Sequence, residues 1–150
     1  MRFMILVKAT PESEAGVMPE EALIAQMASY HEELHKAGMP VGGSGLRASS
    51  HGWRIEYSGD KQVLVDGPFA ETKELIAGYT LVTARSREEA VEWTKRFPNP
   101  AGGGRKAQIE VRPLFELDDF GPSESVERMR EIGVGAEKPC APSPGSRSWP

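Results

Sequence analysis

Between Asp66 and Glu74 the chain reads DGPFAETKE, which packs three carboxylates and one ammonium around a proline turn. Pro68 fixes its own φ and pushes Gly67 away from helical backbone, so Asp66-Gly67-Pro68 reads as a turn. Phe69 then sets a large apolar ring beside Glu71, Lys73 and Glu74. Carboxylates and an ammonium next to a water-excluding ring are the parts needed to move a proton on a small molecule. The same spacing also suits a solvated turn whose charges pair with one another.

A second cluster lies near the end of the last predicted strand. Gln108 to Phe115 alternates, placing Ile109, Val111 and Phe115 on one side and Glu110 and Arg112 on the other. If the apolar side meets helices, the two charges face the opposite way and each needs a partner or a ligand. A structural ion pair between Glu110 and Arg112 answers that need equally well. Tyr79, in the strand after the DGPF turn, joins Phe69 as a candidate wall.

The sharpest match to a known metal motif is H-E-E-L-H at His31 to His35. Histidines four apart share a helix face and suit zinc, with Glu32 as a general base. No third ligand is signalled, Glu33 puts a charge between the histidines, and the helix is needed to cover a sheet; the match reads as fortuitous and no metal is expected. Cys140 has no neighbouring base and no G-x-S-x-G elbow exists, so nucleophilic catalysis has no signature. Gly43 to Ala48 fits GxGxxA superficially, but a helix precedes it and strand-like residues follow, the reverse of a dinucleotide fingerprint. No cofactor is expected.

These residues must be positioned by the elements around them. Phe3 to Val7 is an unbroken apolar run and predicts a strand buried on both faces. Thr10 to Val17 reads as a loop. A helix follows from Pro19, with Glu20 and Glu21 near its positive end, a Leu23, Met27, Tyr30, Leu34 stripe, and a stop at Gly38 and Pro40. Val41 to Ser50 is glycine-rich and then extended. Trp53 to Tyr57 alternates, Ser58-Gly59-Asp60 turns and Gln62 to Val65 returns, a hairpin delivering the chain to Asp66. Ile76 to Thr83 is the next strand. Ser86 and Glu89 predict a capping box for a helix whose Ala90, Trp93 and Phe97 share a face. Asn99 to Arg105 is a glycine loop before the last strand. Val126 to Ile132 predicts a short helix, and Ala136 to Pro150 is a proline- and serine-rich tail.

The order strand, helix, strand, extra hairpin, strand, helix, strand predicts an α+β fold of the ferredoxin-like βαββαβ kind, one antiparallel sheet with both helices on one face. Met4 and Leu6 would stand uncovered on the other face, so a second copy packed sheet to sheet is expected. Residues 1–120 form this domain, and 121–150 a C-terminal extension.

Composition sets the outer limits. The chain has 150 residues, 39% hydrophobic and 27% charged, values of a globular domain with a real core. A net charge of −4 with no basic block argues against nucleic acid as a partner. No apolar stretch approaches a membrane span, and the lone cysteine suits a reducing compartment. A soluble, cytoplasmic protein is expected.

DGPFAETKE, followed by Gly78-Tyr79 and later by Glu110-Val111-Arg112-Pro113, resembles the YCII-related family and its branch named for the DGPF motif, over roughly Met1 to Phe115. The resemblance implies a dimeric α+β barrel and assigns no reaction. Short members of the family are associated with a histidine in the first helix and an aspartate after the second as an acid–base pair. Here the histidine register falls near Met27, and Phe97-Pro98-Asn99-Pro100 offers no aspartate, so that pair does not transfer.

Two functions follow. One is a homodimer that binds a small molecule and performs cofactor-independent proton transfer, of the isomerase or lyase type, on a carbonyl or ring compound. Asp66 or Glu71 would be the base, Lys73 or Arg112 would steady developing negative charge, and Phe69, Glu74, Tyr79 and Glu110 would line the site. The other is a non-catalytic binding or regulatory module using the same residues to hold a ligand or a partner.

Overall fold

The computed structural model describes residues 1–39 and 41–135, Val41 by its backbone alone. The apolar run at the start forms β1 (Arg2–Lys8), the inner strand on which the sheet is built. β5 (Ile76–Thr83) pairs antiparallel on one side of it and β6 (Ile109–Pro113) on the other, while β2 (Val41–Gly45) pairs with β5 at the edge. The order β2-β5-β1-β6 is that of a ferredoxin-like sheet once β3 and β4 are set aside.

β1 is covered unequally. Phe3 and Ile5 are buried, whereas Met4 and Leu6 are only half-buried. Ile5 lies opposite Thr80 and Val111, and Phe3 opposite Val82, so these residues share the covered face. α2 (Glu21–Lys36) supplies Tyr30 and Leu34 to that core, and α3 (Arg87–Thr94) supplies Ala90, followed by Phe97. Tyr30 and Phe97 meet edge to face at 5.2 Å between ring centroids. One layer of helices thus covers one face of the sheet, and among the described residues the face carrying Met4, Leu6, Tyr79 and Leu81 has no second layer.

α2 ends as its sequence predicts. Gly38 takes a φ of +76°, and the Met39 amide donates to the Leu34 carbonyl at 3.0 Å, the six-to-one bond of a Schellman turn. Ser86 caps α3 by accepting the Glu89 amide at 3.2 Å. The reciprocal half of the expected box is replaced, because the Glu89 carboxylate accepts the Arg85 backbone N–H and its guanidinium, both at 2.7 Å.

Three further differences from the sequence reading appear. The loop expected from Thr10 contains a helical turn, α1 (Pro11–Glu14), in which Thr10 and Ser13 cap each other. β3 (Trp53–Ser58) and β4 (Lys61–Asp66) form the expected hairpin, but pair only with one another as a separate two-stranded ribbon. Gly59 opens their two-residue loop at a φ of +60°, the sign a II′ turn needs there. Finally, β6 stops at Pro113, so Phe115 does not share the face of Ile109 and Val111; it is exposed, its ring 5.6 Å from that of Phe120.

Beyond β6 the chain turns under β1, with the Leu114 amide donating to the Arg2 carbonyl and Arg2 paired to Glu116 at 2.9 Å. α4 (Glu124–Glu131) follows from its Ser123 cap, close to where a short helix is expected. Val126 of this helix and Leu117 of the turn before it are buried. The proline- and serine-rich stretch from Ala136, Cys140 included, lies outside the described residues.

Candidate functional site

The DGPF turn is held from two sides. Where β4 ends, the Gly67 amide donates to the Gly52 carbonyl at 3.0 Å, and the Gly67–Pro68 peptide is cis. A Cβ at position 67 would lie 1.9 Å from the Ser49 carbonyl oxygen, so only glycine fits. The Phe69 amide donates to Ser49 Oγ at 3.1 Å. Ser49 in turn donates its hydroxyl and its own amide to the carboxylate of Glu14 in α1. Phe69 is half-buried, with the Arg54 guanidinium 4.0 Å from its ring centroid.

Past Phe69 the chain opens outward. Glu71 adopts left-handed backbone, φ 64°, and Thr72–Glu74 forms a single 3-10 turn that leads into β5. Asp66, Glu71, Lys73 and Glu74 are all exposed, and among the described residues none of them enters an ion pair.

The other predicted residues gather on the uncovered sheet face. Tyr79 lies opposite Leu6, which lies opposite Glu110; the next row runs Leu81, Met4, Arg112. At about 4.8 Å between strands, Tyr79 and Glu110 stand roughly 10 Å apart across Leu6. The sequence reading missed the residue that organises this row. Lys8 Nζ sits 2.9 Å from Glu110 Oε2, while Arg112 Nε is 4.0 Å from Glu110 Oε1. The Lys8 side chain is only 18% exposed and that of Arg112 is 71% exposed. The signal was present: Met4, Leu6 and Lys8 alternate along one face of β1.

The hydrogen bond from Lys8, then its charge, holds the Glu110 carboxyl below its usual range. A carboxylate so held is a poor proton acceptor near neutrality. Glu110 therefore serves as a hydrogen-bond acceptor and counter-charge to Lys8. With Lys8 satisfied, the fork of the Arg112 guanidinium is presented outward, a shape suited to a carboxylate.

The helix side offers less. A shallow groove of about 450 Å³ is lined by Tyr30, Glu33 and Arg96 among others. Burial pushes the Tyr30 hydroxyl up to about 12, and it donates to the Trp93 carbonyl at 3.2 Å. In the H-E-E-L-H segment, His31 turns inward, Nε2 lying 3.3 Å from Oγ1 of the buried Thr80, while Glu32, Glu33 and His35 are exposed. Among the described residues no three metal-binding side chains come together, and no helix is long and apolar enough to cross a membrane.

Fold and site together define a ferredoxin-like α+β domain with one covered face, one charged and apolar open face, and a glycine-dependent turn at its edge. Comparison with known proteins agrees: a profile of the YCII-related domain matches residues 1–117, and the chain belongs to that family. An uncharacterised protein of Rhizobium meliloti (strain 1021) is 37% identical over 62 residues, 40% of this chain and 47% of that protein. The match thus spans about half the length of this curated relative.

Proposed function

We propose that the chain works as a homodimer that binds a small carboxylate-bearing carbonyl or ring compound on the sheet face opposite the helices. The observation that carries this reading is the Lys8–Glu110–Arg112 row set among Met4, Leu6, Tyr79 and Leu81. An apolar face that a second copy covers becomes a sheltered space, and charges within it act at lower dielectric than in water. Arg112 supplies the anchor, and Tyr79 and Leu6 the apolar wall.

We place the chain in the DGPF branch of its family on the strength of DGPFAETKE, take residues 1–120 as the functional unit, and assign it to the cytoplasm. The proton-transfer form of this reading gives Asp66 or Glu71 the role of base and Lys73 that of electrostatic support. The binding form is favoured by geometry. Asp66, Glu71 and Lys73 stand open to solvent in the single chain, so excluding water from them falls to the second copy.

The test is a thermal-shift titration of the full chain with small aromatic and 2-oxo carboxylates and with phenols. At about 100 times Kd a ligand stabilises by about 2.7 kcal/mol, which for a chain of this size raises Tm by roughly 5–10 °C. A carboxylate is expected to give this shift with wild type and Asp66→Asn and to lose it with Arg112→Ala. Equal shifts with wild type and Arg112→Ala, or none from any carboxylate, would overturn the reading. Incubating a bound compound in D₂O separates its two forms: deuterium entering next to the carbonyl means proton transfer, and an unchanged compound after days means binding alone.

A further inference from the structure

The β3–β4 ribbon carries an apolar face that none of the described residues covers. Directly opposed residues of an antiparallel pair lie on one face, so Trp53, Ile55, Tyr57 and Leu64 stand together, with Gln62 and Asp66 at the margins. Their exposures are 64, 43, 71 and 59% respectively. On the reverse face Arg54 covers the Phe69 ring of the chain's own DGPF turn and Val65 is half-buried, while Glu56, Lys61 and Val63 are exposed. A two-stranded ribbon is marginal in water without further packing, so four large side chains facing solvent imply a surface that receives them.

We infer that the ribbon is an arm that packs against a second copy of this chain at the margin of the joined sheet faces. This rests in part on the homodimer proposed above and adds a second, separable contact to it. Three observations select the occupant. First, the apolar face of the arm carries no lysine or arginine and the chain has a net charge of −4, which suits neither anionic lipid nor nucleic acid. Second, the same chain offers a complementary uncovered apolar surface in Met4, Leu6, Tyr79 and Leu81, as a self-complementary two-fold contact requires.

The third is size. β1 and β5 pair over seven residues and the outer strands over five, which makes a sheet face roughly 19 Å by 17–24 Å, some 300–450 Å² in projection. A stable interface takes about 800 Å² of accessible surface from each partner. The flat outline of the sheet face is smaller than that, so further apolar surface beside it enlarges the contact. The arm, two strands of six residues, extends it by a ribbon about 20 Å long and 10 Å wide. Its root at the DGPF turn then places Asp66 and Phe69 where the partner closes over the site.

Sedimentation equilibrium of the full chain tests this. Two variants, Trp53→Ser/Tyr57→Ser and Ile55→Ser/Leu64→Ser, change only side chains exposed in the single chain, and circular dichroism checks that each stays folded. Each is expected to raise the dimer Kd at least tenfold. Leu81→Arg, on the open sheet face, tests the sheet contact separately. If both arm variants dimerise as wild type does while Leu81→Arg does not, the arm is overturned and the sheet-to-sheet dimer stands. If the arm variants weaken the dimer and Leu81→Arg leaves it intact, the arm stands and the sheet contact fails. A wild-type chain that remains a monomer at 100 times the concentration used for binding overturns both.

Discussion

Gly67 approaches Ser49 so closely that a single methyl group added to its Cα would stand 1.9 Å from the Ser49 carbonyl oxygen. The obstructing atom is backbone, and the Gly67 amide is itself bonded to Gly52 three residues further on, so neither side can yield cheaply. Gly67→Ala is expected to cost about 3 kcal/mol, the upper end for inserting a methyl group into a tight contact. Urea denaturation measures it; a loss below about 1 kcal/mol would mean that the turn relaxes freely.

Ser49 links α1 to the DGPF turn, accepting from the Phe69 amide and donating to Glu14. Ser49→Ala leaves the Phe69 N–H without its partner and Glu14 with only the Ser49 amide. The expected cost is about 1–2 kcal/mol. Hydrogen exchange localises it: the Phe69 amide loses protection while the β1 amides keep theirs. Uniform loss across the sheet would contradict a local role.

Lys8 holds Glu110 ionised by a hydrogen bond and by its charge. The folded-state pKa of Glu110 lies below its unfolded value, so its contribution to stability is present above the unfolded pKa and is lost as pH falls through the folded one. In Lys8→Met that acid-side loss is expected to shrink. Carbon-13 titration of the Glu110 carboxyl should show its midpoint rising toward the ordinary 4.5. A midpoint that stays put in the variant would give the effect to Arg112 instead.

His31, on the sheet-facing side of α2, is half-buried against Thr80, and burial lowers its pKa from 6.5. A histidine kept neutral by the fold binds its proton more readily when unfolded. Its contribution is therefore complete above about pH 6.5 and is lost as pH falls through the lower folded value. Unfolding free energy is expected to decline between pH 7 and 5 in wild type and to decline less in His31→Gln. Equal slopes would remove His31 as the titrating group.

The order of elements was legible along the chain because apolar periodicity is a local property. The helix stripe at Tyr30 and Leu34, the Gly38 stop and the hairpin loop at Gly59 depend on residues within a turn or two of each other. Phe115 was misplaced because Pro113 ends the ladder before alternation reaches it. The Ser86 cap was read correctly, but Arg85 outcompeted Ser86 for the Glu89 carboxylate, since a guanidinium holds a carboxylate more strongly than a neutral N–H does.

The candidate site divides along the same line. That Asp66-Gly67-Pro68 turns, and that Glu110 and Arg112 point away from Ile109 and Val111, follow from proline stereochemistry and a two-residue repeat, and the sequence alone determined both. Only the tertiary structure decided that Gly67 rests on Ser49, that Glu14 anchors Ser49, and that Lys8 takes Glu110. Each of those contacts joins residues 18 to 102 positions apart, and pairing at such separations is set by sheet register and chain crossing, which no short stretch of sequence encodes.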